Sequence, residues 1–455
     1  MPPPFLEEIA AAFPAAENSL DPSTLTIAGK GNLPSWFEVT DLAAASMGLA
    51  GLMVARLASP TRDEVPRVTA DRRLASFWFG MTLRPQGWEL PPVWDPIAGD
   101  YPTKDGWIRL HTNAPHHRAA ALSVLGNHND RETLATHVAK WEADDLEAAV
   151  VAAGGCAAVM RSLEAWAAHP QGAAVLQEPL IHWQTHEGRD RLPQLAPPDR
   201  PLRGIKILDL TRVLAGPVAG RFLAAYGAEL LRIDPPGWNE PGVIPEVTLG
   251  KRCAGLDLKK REDRQIFDSL LAGADVLLHG YRPDALAGLG YDADALRRLN
   301  PRLIDVCLNA YGWSGPWAGR RGFDSLVQMS SGIAAYGMEM SGADKPQPLP
   351  VQALDHATGY LMAAAVLHAL QERAAAGRVI SAKLSLAATA GLLSETKRAA
   401  LHDGLAVETE ADIDPAIEKT TWGPARRIRF PLTITGIAPV WTLPASDLRT
   451  AAPAW

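Results

Sequence analysis

The stretch Leu202–Asp234, LRGIKILDLTRVLAGPVAGRFLAAYGAELLRID, constrains the fold of this chain more than any other. Ile205, Ile207, Leu208 and Leu210 make a short apolar run, as a parallel strand buried on both faces requires. Arg212–Pro217 turn the chain, a helix rich in small residues brings it back, and Glu229–Ile233 reads as a second strand. The result is a βαβ unit, which places a ligand at the turn after its first strand. That turn has glycines only at Gly216 and Gly220, so the G-x-G-x-x-G of a dinucleotide site is missing.

At 455 residues the chain has room for two or three domains. A net charge of −7 with no long Lys/Arg run argues against nucleic acid as a partner. Cys156, Cys253 and Cys307 are too few and too scattered for a disulfide framework or a zinc site, so no metal is expected. MPPPFLEEIAAAF lacks the basic and apolar regions of a signal peptide. No apolar run is read as approaching the ~18 residues that a spanning helix needs. A soluble, cytoplasmic protein with no membrane partner is expected.

The wording around the turn resembles the opening of the family III CoA-transferases, the group that includes formyl-CoA transferase, carnitine CoA-transferase and α-methylacyl-CoA racemase. Later blocks keep the family's order. GKRCAGLDLK (Gly250–Lys259) is similar to its N-K-R-x-x-x-L-D-L-K segment, and ADVLLHGYRPDALAGLGY (Ala274–Tyr291) to its A-D-V-x-x-x-N-F-R-P-G entry. Leu299–Gly332 resembles its strand, G-x-x-G-P turn and D-x-x-x-Q-x-x-S-G helix. The resemblance implies an α/β fold of the family III type. A large Rossmann-like βαβ domain with a parallel sheet would be joined by a smaller α+β domain, the halves permuted or partially duplicated.

The rearrangement is read from the order of the parts. Residues 1–196 precede the βαβ start yet resemble the helix and small domain of a family member. DYPTKDGWIRLHTN (Asp100–Asn113) is similar to the small-domain strand pair, and Gly154–Leu180 to its closing segment. Residues 197–204 read as a linker. Residues 205–455 read as the large CoA-binding and catalytic domain, with Gly423–Gly436 as a C-terminal return segment. A weak repeat connects the halves: Asp41 and Asp355 each open an Ala-rich helix followed by a charged loop, a strand and another helix.

The resemblance implies exchange of CoA between two carboxylic acids through an aspartate nucleophile. Its position is Asp355 in LDHATG, with Gly359 four residues on. A carboxylate suits the task because it is ionised at neutral pH and needs no separate base. Asp is also a favoured helix cap, for Asp355 and for Asp41 alike. A site just beyond a helix N-terminus is expected to keep Asp355 ionised. The racemases carry a His-Asp pair where this chain has Phe323-Asp324, and phenylalanine cannot move a proton.

CoA contacts implied by the resemblance are Arg212, Val213, Leu214, Ala215 and Leu256, with Arg252, Lys259 and Arg282 as candidate phosphate donors. CoA and acyl-CoA enter as substrates, with small carboxylic acids as the other partners and no tightly bound cofactor. A homodimer is expected. Trp88 and Trp94 are candidates for shaping an acyl pocket. An acyl-CoA isomerase, racemase or lyase of the same fold, or a catalytically silent acyl-CoA-binding subunit, are the alternatives that the sequence leaves open.

Overall fold

The computed structural model describes residues 5–14, 22–59, 65–189, 197–281, 283–401 and 403–455. Seven strands form the central sheet. In chain order they are β1 (His182–Arg189), β2 (Lys206–Asp209), β3 (Glu229–Asp234), β4 (Lys251–Gly255), β5 (Val276–His279), β6 (Ile304–Asn309) and β7 (Arg378–Ser385). Their spatial order is β4-β3-β2-β5-β6-β7-β1. Strands β2 to β7 run parallel, and β1 closes the edge antiparallel to β7. The α/β class and its parallel-rich sheet are therefore as expected.

Five helices matter for the site: α1 (Val39–Ala58), α2 (Pro115–Leu125), α3 (Ala215–Ala225), α4 (Asp324–Ser330) and α5 (Ala353–Ala376). From β2 the chain passes to β3 and β4 on one side, then returns to β5 on the other. The C-terminal end of β2 is thus a topological switch point, where open α/β sheets leave a crevice. Helix α3 starts at Ala215, earlier than the expected turn through Pro217. Proline is tolerated in a first turn because its missing N–H has no intrahelical acceptor there.

Alternation along the strands divides the sheet into two faces. Ile207, Val276, Leu278, Ile304, Val306 and Leu384 join the core under α3 and α5. Leu208, Leu231 and Leu277 face the other way, toward the helix Arg261–Ala272. Helix α5 packs against α1, α3, β6 and β7. Its many alanines let these neighbours approach closely, and each buried Leu or Met contributes roughly 1.5–3 kcal/mol. Helix α1 does have the length and apolarity of a spanning segment, contrary to the sequence expectation. The protein itself buries 89% of its most apolar window, so this is a core helix.

The N-terminal region contributes two further pieces. The strand Val68–Asp71 pairs with Leu25–Ala28 on one side and, on the other, with Leu432–Ile434 from the far end of the chain. The strands Gly99–Pro102, Trp107–Leu110 and Ala157–Val159 form an antiparallel sheet. With α2 they enclose a core of Ile97, Tyr101, Ile108, Leu110, Leu125 and Val150. This α+β unit docks on α4, where Cys156 and Ala158 meet Leu326 and Met329. The helix–strand–helix series expected after Asp41 and after Asp355 occurs at both places, but only the second strand, β7, lies in the central sheet.

A buried charge cluster ties the pieces together. Glu246 accepts the Thr82 N–H at 2.9 Å and its hydroxyl at 2.6 Å, and it pairs with Arg221 of α3 and with Arg427 at 3.2 Å. Burial opposes the Glu246 charge, but the two guanidiniums overcome it and hold the carboxyl at about 2. The expected linker is anchored as well: Leu202 N–H donates to Tyr226 O at 3.1 Å, and Arg200 Nη1 donates to Ala225 O at 3.0 Å.

Candidate active site

Asp355 is the third residue of α5, one turn in from the helix N-terminus, and it is buried. Its own side chain makes no cap. Instead Asp324, the first residue of α4, accepts the Asp355 N–H on Oδ2 at 2.9 Å and also the Leu354 N–H. Asp324 thereby satisfies two of the orphan amides of α5. Its other oxygen accepts from Gln328, whose carbonyl oxygen takes the Leu349 N–H at 2.7 Å.

Two carboxyls thus share one buried position. Burial first, and then the charge of Asp324, push the Asp355 carboxyl well above the usual range. Burial pushes Asp324 up to about 6, against the pull of its N–H and amide donors. The expectation that the helix N-terminus keeps Asp355 ionised is therefore reversed, because Asp324 occupies the amides that would have done so. The helix-cap expectation for Asp41 also fails. Asp41 too is third in its helix, but it pairs with Arg72 at 3.0 Å and Arg398 at 3.8 Å.

The turn after β2 lies against the same helix. A Cβ on Gly359 would collide with the Ala215 carbonyl and lie 2.9 Å from Val218 Cβ, so only glycine lets α3 approach α5 here. Asp355 and Gly359 are four residues apart on one helix face, so their backbone positions lie about 6 Å apart along α5. The turn is strained and held: Val213 has φ 62°, and its N–H donates to Glu240 at 2.6 Å. Glu240 is fixed in turn by Arg232, itself paired with Asp234. Such strain persists only where the surroundings impose it. Beneath the turn, buried Lys251 donates to Asp209 at 2.8 Å and to Pro217 O at 2.9 Å.

Arg212 leaves the turn with its guanidinium over the rings of Trp238, at 4.6 Å, and Tyr281, at 5.0 Å. It donates to the Tyr281 hydroxyl at 2.6 Å, and its buried Nε has no partner.

Residues 202–413 match the model of CoA-transferase family III. Over these residues the chain is similar to the family III CoA-transferases. A probable fatty acyl-CoA transferase of Mycobacterium tuberculosis is 37% identical over 190 residues, covering 39% of this chain and 48% of its own length. An acyl-CoA transferase of Gibberella moniliformis is 29% identical over 77% of this chain and 69% of its own. A succinate–glutarate CoA-transferase of Agrobacterium fabrum is 34% identical over 37% and 47% respectively. The crystal structure of that mycobacterial protein aligns with 43% of this chain and 58% of its own at 33% identity, with a TM-score of 0.38. The chain thus spans about half the length of the mycobacterial and Agrobacterium relatives.

Within the family III domain, Arg212, Val213, Leu214 and Ala215 stand together at the switch point. Leu256 is buried in the apolar cluster against which Tyr281, the Arg212 partner, packs. Arg252 stands near the start of the edge strand β4, away from the C-terminal edge that carries the turn, and Lys259 is exposed. Arg282 lies outside the described residues. Trp88 is an outer residue whose Nε1 donates to Pro424 O at 2.8 Å, whereas Trp94 sits edge-on to His111 at 5.8 Å. His356 faces away from Asp355: it stacks on Phe79 at 5.2 Å, and burial holds it down at about 3.

Sequence reasoning missed His111 and His117. His111 follows the small-domain strand Trp107–Leu110 and stacks on Phe323 at 3.8 Å with the rings 7° from parallel. His117, in the first turn of α2, meets the same ring edge-on at 5.7 Å. The HTNAPHH wording at 111–117 was available, but nothing in it says which surface it will face. His279, Asp305 and Cys307, which the sequence reading did not single out together, place their donor atoms within 4.8 Å of one another. They lie on the sheet face turned away from α5, and His279 Nε2 pairs with Asp305 at 3.2 Å.

Proposed function

We propose that this chain moves CoA between an acyl-CoA thioester and a small carboxylic acid through an aspartyl-CoA thioester on Asp355. The observation that supports it most is the Gly359 contact, which brings α5, one helical turn on from Asp355, against Ala215 at the end of the switch-point turn. CoA would lie along Arg212–Ala215 and Leu256, the aromatic-flanked Arg212 presenting free donor capacity to a phosphate. Arg252, Lys259 and Arg282 are retained as outer phosphate contacts. CoA is a substrate here, with no tightly bound cofactor. The chain is proposed to act as a homodimer in the cytoplasm.

The steps follow from carboxylate nucleophilicity. An oxygen of Asp355 attacks the thioester carbonyl, the C–S bond breaks, and a mixed anhydride forms with release of CoA thiolate. The thiolate attacks the aspartyl carbonyl of the anhydride and expels the donor acid as its carboxylate. The acceptor carboxylate then opens the aspartyl thioester, and returning thiolate takes the new acyl group and frees Asp355. No proton is transferred in any step. Deprotonation of Asp355 before the first attack is the one ionisation required.

Initial-rate kinetics with an acyl-CoA and an acceptor acid test the reading. Parallel double-reciprocal lines, with turnover abolished in Asp355→Asn, are expected of this two-stage exchange. Uptake of solvent deuterium at the acyl α-carbon without movement of CoA contradicts it and supports the isomerase alternative.

A further inference from the structure

The ring of Phe323 stands where a proton-transferring histidine would be, next to Asp324, and it is clasped by two histidines from the N-terminal unit. His111 stacks on Phe323 and meets Trp94 edge-on, and His117 meets Phe323 edge-on, so the four rings are in contact. His117 is only 3% exposed, and its Nδ1 is buried without a hydrogen-bond partner. A buried polar nitrogen left unpaired is destabilising, and a ligand able to bond it recovers that loss. Three helix starts meet at this point: α2 carries His117, Phe323 caps α4, and Asp324 caps α5.

We propose that this surface is the acyl-binding wall of the Asp355 site, supplied by the N-terminal unit of the same chain, with His117 Nδ1 bonding the acyl group. The proposal rests on the CoA-transfer reading and adds the substrate class to it. The wall is uncharged: burial keeps both imidazoles neutral, holding His117 at about 3 and His111 well below its ordinary value. The nearby cations are engaged elsewhere. Arg109 pairs with Asp100 at 2.7 Å, Arg118 with Asp95 at 3.3 Å and Arg320 with Glu147 at 3.1 Å. Arg321 holds Gly154 O at 2.9 Å. A planar aromatic or other uncharged acyl group matches such a wall, since ring faces stack and a single neutral nitrogen gives one hydrogen bond. Arg321 alone of these four is bonded only to a carbonyl, so a second carboxylate on the acyl chain has no cation but Arg321 to meet among them.

The test uses the full chain with benzoyl-CoA and succinyl-CoA as donors, in wild type, His117→Gln and Arg321→Ala. We expect kcat/KM at least about tenfold higher for benzoyl-CoA, and a loss of roughly five- to tenfold in His117→Gln for that donor, as one neutral hydrogen bond gives. A mixture of Asp355→Ala and His117→Phe chains shows no more than the residual activity of His117→Phe alone if the wall and nucleophile belong to one chain. Preference for succinyl-CoA that disappears in Arg321→Ala overturns the substrate class, and recovered activity in the mixture overturns the same-chain assignment. In either case a covalent CoA adduct on Asp355 still forms. Absence of that adduct with both donors strikes the CoA-transfer reading instead.

Discussion

The Asp355 N–H donates to Asp324 Oδ2 at 2.9 Å, so the proposed nucleophile is held through its backbone by a second buried acid. The hydrogen bond fixes where the Asp355 backbone sits, and the neighbouring charge raises its carboxyl. Asp324→Asn can accept from Asp355 but then turns its NH2 toward Gln328, whose own NH2 it meets. Losing that charge-assisted bond costs about 1.5–3 kcal/mol, so turnover should fall roughly 10–100-fold. The activity pH profile should also move to lower pH, because the charge that raises Asp355 is gone.

Stability should depend on pH through the same pair. Both carboxyls sit above their unfolded values, so the folded state binds protons more tightly. That stabilisation is complete below the unfolded carboxyl value near 3.8 and is lost as pH rises through the folded values, about 6 for Asp324. Asp355→Asn should therefore melt above wild type at pH 8, by an amount on the order of 1–3 kcal/mol, with the gap closing toward pH 4. Thermal melts at pH 4, 6 and 8 decide the sign.

Gly359→Ala should weaken CoA binding and the fold together. The new methyl meets the Ala215 carbonyl and Val218, so α3 must shift, at about 1–3 kcal/mol. Because Ala215 opens the switch-point turn, KM for acyl-CoA should rise more than kcat falls.

How legible this site was depends on range along the chain. The βαβ unit was readable from Ile205–Leu210 because a doubly buried strand needs an unbroken apolar run. Asp355, with Gly359 four residues on, was singled out only through the resemblance, because an Asp near a helix start reads by itself as a cap. The pairing of Asp355 with Asp324 was not readable, since 31 residues separate them and only tertiary packing brings α4 to α5. For the same reason the helix-dipole argument gave the wrong direction for Asp355: it assumed free amides that Asp324 occupies. Trp94 was singled out for an acyl pocket, whereas its neighbour His111 was invisible until the N-terminal unit docked on α4. Helix α1 was misjudged because its apolarity comes largely from alanines, which raise mean hydropathy without adding bulk.

Glu246 gives a prediction for assembly of the chain. Replacing it with Gln leaves Arg221 and Arg427 buried without their shared carboxylate, a loss of about 3–5 kcal/mol. Since Glu246 also holds Thr82, limited proteolysis should cut between the N-terminal unit and the family III domain faster than in wild type.

The central claim is the covalent thioester on Asp355, and intact-protein mass spectrometry after brief incubation with acyl-CoA thioesters tests it most directly. The account predicts an adduct of CoA mass in wild type that hydroxylamine removes and that Asp355→Ala never forms. CoA binding without an adduct for any thioester, or an adduct that persists in Asp355→Ala, would contradict it.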